Sequence, residues 1–119
     1  MRKAVMGLVL ASAMAAPAPA PADAADDDVA LLERFAAIVE ENRSNCDKMA
    51  EELNRFFDAN MQRLAAARDR EKKRTPEEKK RYQEQYGARA GAAQDKIKAG
   101  VTTCAKNSAA LAAFKRFPK

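Results

Sequence analysis

From Asp28 to about Arg74 the chain contains neither Pro nor Gly, and its apolar residues recur at helical spacing: Leu32, Phe35, Ala36, Val39, Cys46, Met49, Leu53, Phe56, Phe57, Met61 and Leu64. This three-four alternation lays one apolar stripe along a helix. The opposite face carries Glu33, Arg34, Glu40, Glu41, Asp47, Lys48, Glu51 and Arg55. Asp26, Asp27 and Asp28 lie where negative charge favours a helix N-terminus. The pattern predicts one helix over 28–74, roughly 65 Å long at ~1.5 Å per residue.

Thr75-Pro76-Glu77-Glu78 punctuates that pattern. The Thr75 hydroxyl suits an N-cap, Pro76 suits the first helical position, and Glu78 completes a capping box. Pro76 also pushes Thr75 out of helical geometry. A second helix is therefore predicted over 76–115, with a tight hinge near Thr75. Cys46 and Cys104 each lie 29 residues from Thr75, so folding the helices antiparallel brings the cysteines level. The same register sets Leu53 opposite Ile97, Val39 opposite Leu111, Leu64 opposite Tyr86 and Phe57 opposite Ala93. It also sets Asn42 opposite Ser108 and beside Asn107. Gly87 and Gly91 each cost ~1 kcal/mol in a helix interior. The reading adopted is one bent second helix, the alternative being a break near Gly87–Gly91 that makes three helices. The fold class is all-α: a long antiparallel helical hairpin clamped by one disulfide.

Compartment is read from the first residues. Arg2-Lys3, an apolar stretch from Ala4 to Ala16 and the Ala22-Asp23-Ala24 end have the layout of a secretory signal peptide. The apolar stretch is too short for a transmembrane helix, which needs ~20 residues. Residues 1–24 are read as signal and 25–119 as a single mature domain, exported to a periplasmic or secreted location. No transmembrane segment is expected in the mature chain. An even cysteine count in an oxidising compartment favours a Cys46–Cys104 disulfide over metal or redox chemistry, and no CxxC occurs. Asn42-Arg43-Ser44 matches an N-glycosylation sequon, a pattern of low specificity.

Composition narrows the function. The 119 residues hold 22 Lys+Arg, 17 Asp+Glu and no His, for a net charge of +5; loss of the signal segment takes this to +4. The missing His excludes haem held through His, His-dependent zinc sites and Ser-His or Cys-His nucleophiles. No nucleophile motif, phosphate-binding glycine loop or metal-ligand cluster is legible, so no catalytic residues, cofactor or metal are assigned and the chain is read as non-enzymatic. Charge is uneven: residues 26–58 carry −6 and residues 59–119 carry +10. The hinge gathers Arg68, Arg70, Lys72, Lys73, Arg74, Lys79, Lys80 and Arg81, the candidate contacts for an anionic partner. The competing account is a solvated face laced with i,i+4 pairs such as Glu77–Arg81. Tyr82 and Tyr86 border the patch on the buried side. The C-terminal Phe114-Lys115-Arg116-Phe117 is expected to close over Phe35 and Leu31, with its charges near Asp26–Asp28.

In signal segment, basic charge and helical arms the chain resembles the hairpin-forming periplasmic chaperones of the Skp/OmpH kind, although the strand-rich oligomerisation body of that family is not visible. The resemblance implies a holdase-like role and carries no site residues. The leading expectation is an exported, non-catalytic interaction module that presents a basic arm to an envelope protein or anionic surface. The alternatives are an oligomeric periplasmic holdase and a binder of an anionic ligand such as a lipid headgroup or lipopolysaccharide. Homo-oligomerisation stays open, and export makes nucleic acid the weaker ligand.

Overall fold

The computed structural model describes residues 21–119; the expected signal segment lies almost wholly outside the described residues. The protein is all-α. Helix α1 spans Pro21–Glu41, α2 Cys46–Lys73, α3 Pro76–Thr103 and α4 Ser108–Phe114. A Cys46–Cys104 disulfide joins the start of α2 to the residue that follows α3, with a Cα–Cα distance of 5.7 Å.

At the hinge, Arg74 and Thr75 take extended backbone. The Glu78 backbone N–H donates to Thr75 Oγ1 at 3.1 Å, and the Thr75 N–H donates to Glu78 Oε1 at 2.9 Å. With Pro76 at the first position, this capping box starts α3 within two residues of the end of α2. The two long helices run antiparallel, held at one end by this hinge and at the other by the disulfide.

Each predicted long helix is shorter than expected. The helix expected over 28–74 breaks at Asn42–Asn45, and the one expected over 76–115 breaks at Cys104–Asn107. The physical reason is the same at both places. Asn45 accepts a hydrogen bond from the Lys48 N–H at 3.1 Å and so caps α2. Asn107 accepts one from the Ala110 N–H at 2.8 Å and caps α4. Asn and Ser side chains compete with the helical ladder and favour caps, and these supply the reversals without Pro or Gly. The glycines do not break α3, which runs through both Gly87 and Gly91.

Past the disulfide, both outer segments double back towards the hinge. Helix α1 runs antiparallel to α2, as the Asn42–Glu52 and Asp28–Arg70 contacts at its two ends show. It runs parallel to α3, with Glu33–Arg89 and Glu40–Lys96 ion pairs one heptad apart on both helices. Helix α4 follows α2, from Asn107–Asp47 to Arg116–Asp58. The direct seam expected between α2 and α3 is not formed; α1 packs against both, and the long helices do not pack on each other along their length.

This arrangement explains α1, which is buried on two sides. Leu31 and Phe35 join the core with Phe56 and Phe57 of α2, while Val39 meets Gly100 of α3. The small residues of α3 receive α1: Ala36 lies by Ala88, Ala92 and Ala93. Phe114 and Phe117 close over Phe35 as expected, with ring centroids 6.1 and 5.5 Å away. Arg116, however, pairs with Asp58 and Asn54 rather than with Asp26–Asp28.

Asn42 is buried, and its Nδ2 donates to Ile38 O at 2.8 Å and to Glu52 Oε1 at 3.0 Å. It therefore seals the α1–α2 turn rather than facing Ser108. The sequon asparagine is packed inside the fold with its amide already engaged.

Two glycines give opposite predictions. A Cβ at Gly100 would lie 2.0 Å from Cγ1 of Val39, whose branched side chain is held near one rotamer in a helix. Overpacking of this kind costs about 1–3 kcal/mol, against ~1 kcal/mol gained in helix propensity. A Cβ at Gly91 meets nothing within 4 Å. Urea unfolding should therefore show Gly100→Ala destabilised and Gly91→Ala stabilised by up to ~1 kcal/mol. Equal shifts in the two variants would mean that α1 and α3 approach less closely than described.

Candidate functional site

The cations of the hinge divide into two groups. Most are engaged within the fold. Arg70 donates from Nε and Nη2 to the two carboxylate oxygens of Asp28, at 3.0 and 2.6 Å. This hydrogen bonding pushes its pKa further above its ordinary value. Lys73 pairs with Asp69 at 2.9 Å, and Arg68 with Glu71. Lys72 donates to the main-chain oxygen of Lys119 at 2.7 Å. Arg74 lies over the Tyr82 ring, 3.9 Å from its centroid. Burial pushes the Tyr82 phenol up, and the Arg74 charge opposes that shift.

Lys79, Lys80 and Arg81 form the second group. All three are exposed, and among the described residues none makes an ion pair; the anticipated Glu77–Arg81 pair is not formed.

The acidic first part of the chain serves the fold. Arg89 donates to Glu33 at 2.6 and 3.0 Å and to Asp26 at 3.2 Å. Hydrogen bonding from Arg89 holds the Glu33 carboxyl below its ordinary range. Because that pKa is depressed on folding, any stability from the pair is complete above the ordinary carboxylate value and is lost as pH falls through the lowered one.

Beside the hinge lies a feature that the linear pattern did not announce. Because α2 and α3 are joined at both ends but do not pack together, a cleft of about 740 Å³ opens between them. Leu32 and Phe35 of α1, Leu64 of α2, and Phe114 and Phe117 line it together with Ile97 of α3. Arg68, Arg74 and Lys79 stand on its lining towards the hinge. Its two carboxylates, Asp28 and Glu71, are the ones already bound to Arg70 and Arg68. The signal for this cleft was the surplus of apolar residues over one seam, visible as Phe114 and Phe117 beyond the second cysteine.

Among the described residues, no group of three or more Cys, Asp or Glu side chains is placed to hold a metal ion, and no helix is long and apolar enough to cross a membrane. The fold and the hinge thus define a disulfide-clamped helical protein with a basic edge and an apolar cleft. No protein-family model matches the chain, and neither a curated protein nor a solved structure matches it.

Proposed function

We propose that the protein is an exported, non-catalytic helical module that docks on an anionic surface through the start of α3. The observation that carries this reading is the exposed Lys79-Lys80-Arg81 run, which makes no ion pair among the described residues while most hinge cations beside it are engaged internally. Positive charge near a helix N-terminus opposes the macrodipole, so fold stability does not account for the run. A surface that supplies negative charge does.

Binding to phosphatidylglycerol vesicles, with phosphatidylcholine vesicles as the neutral reference, tests the proposal. The protein should bind only the anionic vesicles, and binding should weaken with salt as the screening length shortens from ~8 Å at 0.15 M to ~3 Å at 1 M. A cation near such a surface contributes ~1 kcal/mol. Lys80→Gln combined with Arg81→Gln should therefore weaken binding roughly 30-fold. Lys106→Gln with Lys115→Gln, the same charge change elsewhere, should have a much smaller effect. Equal losses from both pairs would reduce the edge to non-specific net charge.

A further inference from the structure

The cleft between α2 and α3 is a second site, distinct from the Lys80–Arg81 edge, and we propose that it holds a long-chain fatty acid with its carboxylate towards the hinge.

Three observations lead there. The cleft runs between two long walls that meet at the Arg74–Thr75 hinge at one end and at the Cys46–Cys104 bond at the other, and that do not pack on each other between these ends. It is also unfilled: a Cβ on Gly91, in the α3 wall, would meet no atom within 4 Å. Exposed apolar lining of this kind is unfavourable in water, and an apolar chain removes that cost.

The polar groups then select the head. Arg74 and Lys79 add positive charge to the lining at the hinge end, with Lys98 further along α3, whereas both of its carboxylates are neutralised by arginines. Arg68 contributes further: its Nε is buried and has no hydrogen-bond partner. A buried donor left unpaired is costly, and an anionic acceptor brought to this end of the cleft offers the guanidinium new partners. Apolar walls with a cationic end match an amphiphile with an anionic head.

Size selects the tail. A volume of about 740 Å³ lies within the ~300–1,000 Å³ of small-molecule sites. A stable protein partner needs a much broader face, ~800 Å² on each side. A half-open cleft of this size fits one acyl chain better than a second copy of the protein.

The test uses the oxidised protein titrated with palmitate below its aggregation threshold, followed calorimetrically. Saturable binding of one palmitate per chain is expected, with no heat from acetate and much weaker binding of a cationic amphiphile of the same chain length. Gly91→Leu, which fills open space, should weaken palmitate binding at least tenfold while helicity is retained. Ala67→Leu narrows the cleft from the α2 side and should act likewise if the first variant folds poorly. Arg74→Gln with Lys79→Gln should reduce the preference for the anionic over the cationic head. Lys80→Gln with Arg81→Gln should leave palmitate binding unchanged, so vesicle docking and fatty-acid binding can fail separately. Absence of saturable palmitate binding, or indifference to both cleft-filling variants, overturns the proposal. A stable dimer that palmitate does not dissociate, and whose cleft-filling variants become monomeric, would assign the cleft to a second copy instead.

Discussion

Reduction of the Cys46–Cys104 bond is expected to lower the unfolding midpoint by roughly 15–30 °C. The bond spans a sequence separation of 58 residues, and in the chain-entropy account a loop of that length contributes ~4 kcal/mol. Its position adds to the consequence. Both chain reversals beyond the hinge, at Asn42–Asn45 and at Cys104–Asn107, adjoin it, so one bond fixes where α1 and α4 turn back. The Asn107 Nδ2 donates to Asp47 Oδ1 at 2.9 Å beside it, a tie too exposed to substitute for the bond. Far-ultraviolet circular dichroism through a thermal scan, with and without reductant, measures the effect, and Cys46→Ser with Cys104→Ala repeats it without reductant. A drop below about 5 °C, the equivalent of ~1 kcal/mol, would show that packing and caps hold the reversals unaided.

Phe35→Ala should cost about 3–5 kcal/mol, at the upper end for a single core truncation. Phe35 is 3% exposed. Its ring meets Phe57 at 5.4 Å and Phe117 at 5.5 Å, and both Phe56 and Phe114 at 6.1 Å. These neighbours belong to α2, α4 and the segment after α4, so one side chain on α1 ties the two outer segments to the long helix between them. Its removal leaves a cavity that helices pinned by a hinge and a disulfide cannot readily close. Urea unfolding gives the magnitude, and limited proteolysis locates it: cleavage should appear first around Ala112–Arg116, where the tail loses its support. Phe114→Ala, half-exposed at the edge of the same cluster, should cost clearly less. Equal losses from the two variants would contradict the central position of Phe35.

The hinge was legible because its chemistry is local. Thr75, Pro76 and Glu78 lie within four residues, and each has a stated role in starting a helix, which the backbone then adopts. The disulfide was legible because equal spacing from that hinge brings two cysteines level in an antiparallel pair of helices. The other two reversals carried signals as well, in Asn42-Arg43-Ser44-Asn45 and Asn107-Ser108. The apolar stripe masks them because it runs on in phase: Val39 and Cys46 are a heptad apart, which an uninterrupted helix also allows. Periodicity reports the face of each helix and does not report whether two helical segments are joined.

The candidate site divides in the same way. The run of basic residues around the hinge is a property of the chain, but the separation of engaged from unengaged cations is a property of the fold. Arg70 lies 42 positions from Asp28, and Arg89 lies 56 from Glu33, so nothing local marks them as partners. Five acids up to residue 58 and four bases after it meet in such cross-helix pairs, and Lys79, Lys80 and Arg81 form a consecutive basic run outside them.

By itself, then, the sequence determined an all-helical chain, the hinge at Thr75, the pairing of Cys46 with Cys104 and the packing of Phe114 and Phe117 over Phe35, since each rests on capping chemistry, spacing or a compact apolar cluster. Only the tertiary structure decided that α1 occupies the small-residue face of α3. Glycine and alanine there accept any close neighbour, and the choice between α1 and α2 depends on where the chain reverses. That choice leaves α2 and α3 apart between their two joined ends, and the cleft follows from this separation rather than from any motif along them.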